Sequence, residues 1–190
     1  MKPKQKKILA AAISVFSTKG FHQATMDEIA RTAGVAKGTL YYNYASKSTL
    51  FSAAITDGIE AIIEQVRDSL SSDLPFHEHL RKLVEKNIAL YLQYSDLTRI
   101  VFNELTSGMD DGVLKEIEQA RERYVDFMAD QLKVGQAQGY LRPVDLKLAA
   151  VGLVGLVENL CAYHLKNPGR APKKKIVACL HTLLVDGLCE

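Results

Sequence analysis

The chain has 190 residues, 47% of them hydrophobic and 24% charged, with a formal charge of +2. That size and balance suit a soluble globular protein with a substantial core and exclude a disordered or fibrous chain. The charge is unevenly placed: residues 1–50 carry eight lysines and arginines against Asp27 and Glu28, a net +6, which leaves −4 for the remainder. A basic first quarter on a mildly acidic body points to a polyanion at one end. For the lysines of residues 2–7 taken alone, a solubilising terminus is an equal reading.

The first element is a helix with an inward stripe of Ile8, Leu9, Ala12, Ile13 and Phe16, ending at Gly20-Phe21. Residues 25–44 then read as two short helices joined by a tight turn, the layout of a helix-turn-helix. Thr25 is placed to cap the first, with Glu28 three positions on as the return half of a capping box. Asp27 and Glu28 suit the positive end of that helix. Ile29, Ala30 and Ala33 form its inward face, Gly34 supplies a left-handed stop, and Val35 fills the turn. In the second helix Leu40 and Tyr44 share one side and belong to the core. Gly38, Thr39, Tyr41 and Tyr42 point elsewhere. A purely solvated face would carry more Glu and Lys, so this one is built to meet a surface.

These residues carry a specific resemblance. The run from Lys6 to Thr56 is similar to the DNA-binding domain of the TetR family of bacterial transcriptional regulators. The match is ordered: Gly20-Phe21, Thr25, Ile29-Ala30, Ala33-Gly34-Val35, Gly38-Thr39-Leu40-Tyr41-Tyr42, Tyr44 and Lys47. Position 36 is Ala where the family often has a capping Ser, which weakens the start of the second helix. Ser48 and Thr49 replace acidic residues common after the Ser-Lys pair, which favours phosphate at that helix start. The resemblance implies DNA contacts from Thr25, Lys37, Gly38, Thr39, Tyr41, Tyr42 and Lys47. By residue chemistry Lys37 and Thr39 reach base edges or phosphates, the tyrosines phosphates or thymine methyls, and Thr25 and Lys47 phosphates.

A fourth helix begins at Ser46, carries Leu50, Phe51, Ala54, Ile55, Ile59, Ile62, Ile63 and Val66, and ends near residue 72. After a break at 73–75 comes a helix with Leu80, Leu83, Val84, Ile88, Tyr91 and Leu92 in register, then a short one at 97–105. A long amphipathic helix over 113–138 with Ile117, Tyr124, Phe127, Met128 and Leu132 inward is closed by Gly139. Residues 145–165 are apolar on nearly every face, and a last helix runs through Ile176, Leu180, Leu183 and Leu184. The expected fold is therefore all-α, with about nine helices. A three-helix helix-turn-helix domain occupies residues 1–50, a helix over 46–72 links it onward, and residues 73–190 form a larger ligand-binding and dimerisation domain.

A helix that is apolar all round needs cover on every side. A second copy of the chain is the natural cover, with Gly152, Gly155, Leu156, Leu180 and Leu184 as interface candidates and the glycines permitting close approach. Tyr91, Phe102, Tyr124 and Phe127 either line an apolar pocket or are ordinary core. Glu158 and Asn159, adjacent polar groups in an apolar stretch, serve either the pocket, with Asn159 as anchor, or the dimer seam. His77 and His79 read as a solvated pair, since residues two apart on a helix do not converge on a metal. Cys161, Cys179 and Cys189 lack paired spacing, so a reducing cytoplasm is expected, with Cys161 and Cys179 as buried thiols and no metal site or cofactor.

No signal peptide is expected, because the first apolar stretch is short and interrupted. The charged and polar residues within 144–165 argue for a buried helix and against a membrane span. No phosphate loop, nucleophile elbow or catalytic constellation is visible, so an enzyme is not expected. The resemblance implies a homodimeric one-component regulator, a repressor that binds an inverted-repeat double-stranded operator and is released by a small, largely apolar effector. The rival is a helical carrier or enzyme for an apolar metabolite with an incidental basic end. Sequence-selective, salt-dependent DNA binding separates the two.

Overall fold

The computed structural model describes residues 3–70, 75–95 and 111–188. Among them are eight helices and no strand: α1 (Pro3–Gln23), α2 (Met26–Ala33), α3 (Lys37–Asn43), α4 (Lys47–Ser69), α5 (Phe76–Gln93), α6 (Asp111–Ala137), α7 (Leu146–Lys166) and α8 (Lys173–Leu188). The helix expected at 97–105, and Phe102 with it, lies outside the described residues. The chain forms two compact units, Met1–Glu60 with Tyr94–Arg121, and Ala61–Gln93 with Glu122–Glu190. It passes from one to the other inside α4 and again inside α6.

In the first unit α1 buries Ile8, Leu9, Ala12 and Phe16, as its periodicity requires. Its regular course stops at Gly20, whose φ of 77° and ψ of 165° break the helix before Phe21. Phe21 folds back to within 6.0 Å of Phe16, and Phe51 of α4 meets both rings edge-on at 5.0 Å. Such a cluster binds the end of α1 to the start of α4. Ser52, 2% exposed, donates a hydrogen bond to the Glu116 carboxylate, tying α4 to the first turns of α6.

In the second unit α5 packs against both α7 and α8. It buries Leu80, Leu83, Val84 and Ile88 along one face. Phe76 at its start lies so close to Gly135 of α6 that a Cβ there would come within 2.2 Å of the ring. Tyr140 stacks on the same ring at 6.2 Å. Gly139, with φ of 74°, ends α6 as expected. The Tyr140 N–H donates to Gly135 O and that of Gly139 to Gln136 O. His79 departs from the solvated reading: it sits in the buried register of α5, stacked on Phe76 at 6.3 Å. Asp145 caps α7, accepting from the amides of Lys147 and Leu148 at 2.9 and 3.0 Å.

Candidate nucleic-acid interface

The helix-turn-helix is built from local signals, of which the structure realises the Thr25 cap and the Gly34 turn. Thr25 Oγ1 accepts from the Glu28 amide at 3.2 Å, capping α2. The return half of the expected box is replaced: the Glu28 carboxylate pairs with Lys19 of α1 at 2.7 Å, bracing α2 against α1. Gly34 takes φ 65°, and the amides of Gly34 and Val35 donate to the carbonyls of Arg31 and Ala30. This fixes the angle at which α3 leaves. At Ala36 there is no side-chain cap. Anchorage of α3 comes instead from Leu40, which is fully buried. Tyr44 is half-buried, and burial followed by the charge of Asp57 raises its phenol above the usual value.

With Leu40 inward, the opposite side of α3 is presented to solvent. Tyr42 is 91% exposed and Tyr41 44%, and Lys37 and Gly38 are exposed beside them, with Thr39 half-buried. Thr25 is exposed at the start of α2. Lys37 is held by Asp27, with Nζ 2.7 and 2.8 Å from the two carboxylate oxygens and 5.9 Å from the Tyr41 ring centre. The hydrogen bond to Asp27, and then its charge, hold the Lys37 ammonium above the usual lysine range. Lys47 is different. Its Nζ donates to His22 O and Ala24 O, so it faces the chain's own backbone.

Ser46 and Thr49 form a capping box made of hydroxyls. The amide of each donates to the side-chain oxygen of the other at 3.1 Å. They line, with Ser48, Gly112, Val113 and Glu116, an open cleft of about 390 Å³ in the first unit.

The second unit separates the two adjacent polar residues of α7. Glu158 lies on the side of Tyr124, where burial and then the Glu158 charge push the phenol well above its usual value. The Tyr124 hydroxyl donates to Asn87 Oδ1, and Asn87 Nδ2 donates to Leu83 O at 2.7 Å. Asn87 is 2% exposed, a buried polar anchor that sequence reasoning missed, although its spacing from Leu83 already put it on the inward face. Phe127 is buried under the Arg67 guanidinium at 5.5 Å, and Tyr91 is half-buried on α5. Burial pushes the Cys161 thiol up to about 12, with Lys173 pulling it back slightly.

Asn159 faces the other way, exposed, its amide donating to Gly155 O at 2.8 Å. Around it α7 exposes Leu148, Val151, Leu156 and Tyr163. Gly152 and Gly155 lie on this face, and nothing of their own chain would come within 4 Å of an added Cβ. Leu180 and Leu184, named as interface candidates, are instead buried inside the protomer at 0% and 4% exposure. Among the described side chains of α8 the exposed large residue is Leu183, one position before Leu184. By length and composition α7 would also suffice to cross a membrane. Among the described residues no group of three or more His, Cys, Asp or Glu is placed to hold a metal.

Comparison with known proteins agrees with this architecture. Residues 8–54 match the family described as bacterial regulatory proteins, tetR family, and residues 73–188 match the tetracyclin repressor-like C-terminal domain. The transcriptional activator FasR of Mycolicibacterium smegmatis is 30% identical over 160 residues, covering 84% of this chain and 71% of that protein. The fatty acid degradation regulator FadR from Bacillus halodurans superposes with a TM-score of 0.87 at 23% identity, over 98% of this chain and 97% of that one. FadR from Bacillus subtilis, solved in complex with stearoyl-CoA, gives 0.82 at 22%, over 96% and 98%.

Proposed function

The chain belongs to the TetR family of bacterial regulatory proteins, a DNA-binding transcription regulator, and from that premise we propose that it is a homodimeric one-component switch acting in the cytoplasm. It reads an inverted-repeat operator with α3 and leaves it when a largely apolar effector binds the domain formed by residues 73–190. The observation that carries the DNA-binding geometry is the outward side of α3. A helix that exposes Tyr42 at 91% and Tyr41 at 44%, while Leu40 is fully buried, presents an aromatic, hydroxyl-bearing surface. Phosphates and base edges fit such a surface better than water alone does. Tyr41, Tyr42, Thr39, Gly38 and Lys37 are the contact set on α3, with Thr25 at the start of α2. Regulation through binding, not catalysis, is the function.

The test is to sequence DNA fragments selected by the pure protein. A dimer reading successive major grooves on one face gives inverted half-sites about 34–36 Å apart. A selected pool without an enriched inverted repeat contradicts the proposal.

The effector is proposed to be a long-chain acyl compound whose carbonyl group is uncharged, with a thioester favoured over a free acid. Two features support this: the solved FadR with stearoyl-CoA, and the side on which Glu158 lies. A carboxylate near Tyr124 repels a second carboxylate and leaves an uncharged acyl carbonyl unopposed. Tyr91, Tyr124 and Phe127 supply apolar wall, and the Asn87–Tyr124 pair takes the anchoring role that the sequence suggested for Asn159. A second reading concerns the sign of regulation. FasR is an activator, so ligand-controlled activation stands beside repression. Transcription from a selected operator, with and without the protein, decides between them.

A further inference from the structure

We propose that Lys47 is a positioning residue for the recognition helix and not a phosphate ligand. Resting on the reading that α3 meets DNA, the inference concerns how α2 and α3 are held in place for it. Lys47 is the first residue of α4, half-buried. Its ammonium donates to His22 O at 3.1 Å and to Ala24 O at 3.0 Å, and lies 4.6 Å from the centre of the Phe21 ring. All three partners belong to the short stretch between the Gly20 break and Thr25. Carbonyls at a helix end lack partners within the helix, and a cation supplies them with strong, charge-assisted bonds.

The consequence runs along the chain. Ala24 immediately precedes Thr25, the cap of α2, and the Gly34 turn fixes α3 relative to α2. By gripping 21–24, Lys47 sets where α2 begins and so where α3 points. The Phe16–Phe21–Phe51 cluster holds the same stretch from the apolar side, leaving the lysine as its polar fastening. An ammonium engaged with two carbonyls and a ring face has at most one N–H left for a phosphate. Tyr42 stands free for DNA at 91% exposure; Lys47 does not.

The experiment compares wild type with Lys47→Met and Lys47→Arg, at a temperature where circular dichroism shows each fully folded. Affinities are measured on the selected operator and on an unrelated duplex across a salt series. Amide exchange is followed in the protein without DNA. Lys47→Met is expected to lose about tenfold on the operator and little on the unrelated duplex, since misplacing α3 harms register more than charge. The slope of log affinity against log salt should stay unchanged, and amides at 24–28 should exchange faster. Lys47→Arg should recover most of the loss, because it keeps the cation and its donors. A slope reduced by about one, with equal losses on both DNAs, makes Lys47 a phosphate ligand and overturns the proposal. So does unchanged operator affinity. If wild type selects no operator, the functional reading fails by itself. Exchange at 24–28 then still judges the fastening, and unchanged rates in Lys47→Met reject it.

Discussion

Lys37 is the only lysine or arginine on α3, and Asp27 already holds it. Its raised titration keeps it charged through the neutral range. The pairing is present below the ordinary lysine pKa and is lost only as pH rises through the higher folded value. DNA binding should therefore show no pH step at neutrality from this pair. A phosphate must compete with Asp27 for the ammonium. Asp27→Asn is expected to raise affinity for unrelated duplex and to steepen the salt slope by up to about one unit, measured by a salt titration. A slope no steeper than wild type would mean that Lys37 stays clear of the backbone. Residue roles were legible where local rules decide them: the cap at Thr25, and the turn glycines Gly34 and Gly139. They were illegible where a long-range neighbour decides. Gly152 and Gly155 attracted the close-approach reading, yet within the protomer it is Gly135 that meets a ring. Gly135→Ala must displace Phe76, a well-buried side chain, and should cost about 1–3 kcal/mol in urea unfolding.

At the scale of elements the 3.6-residue period located the helices, because each buries one apolar stripe. Their ends needed side-chain partners that pattern alone does not rank. Ser48 and Thr49 stood out as missing carboxylates at the start of α4. Thr49 in fact replaces a carboxylate in the box with its own hydroxyl, reciprocated by Ser46. Ser46→Ala removes that cap and should destabilise the protein by about 1 kcal/mol, read as a lower urea midpoint with unchanged slope. If Ser46→Ala is neutral, the amide of Thr49 finds water equally well and the box is ornamental. Helix α3 illustrates the opposite case. It has only seven residues and no side-chain cap, so it persists through the buried Leu40 and the turn before it. The inward placement of His79 and Asn87 was readable from the same period. Both fall in register with Leu80, Leu83 and Ile88, and only their polarity argued against it.

For the whole molecule, the exposed face of α7 is the proposed dimer seam. Leu148 at 70% exposure, with Val151, Leu156 and Tyr163, is apolar surface that a second protomer would cover. Gly155→Arg is the informative variant, since its new Cβ meets nothing of its own chain. The variant should keep its folded protomer and sediment as a monomer where wild type sediments as a dimer; a variant that stays dimeric removes α7 from the seam. Two further seam candidates read from the sequence, Leu180 and Leu184, lie on the buried side of α8 within the protomer, because a helix rich in leucine all round does not declare its inner face. Glu158, half-buried on the Tyr124 side, differs in the same way from the exposed Asn159, and that difference makes the effector prediction sharper. An acyl thioester should stabilise the protein thermally and lower operator affinity, whereas the free acid, opposed by the Glu158 charge, should do both more weakly. Glu158→Gln removes that opposition and should narrow the gap between the two compounds. Linkage sets the size of the effect: the factor by which effector weakens operator binding equals the factor by which operator weakens effector binding. A hundredfold release therefore demands about a hundredfold tighter effector binding to free protein than to the DNA complex, and calorimetry on both forms can close that cycle. A compound that binds both forms equally, however tightly, shifts nothing and is no inducer.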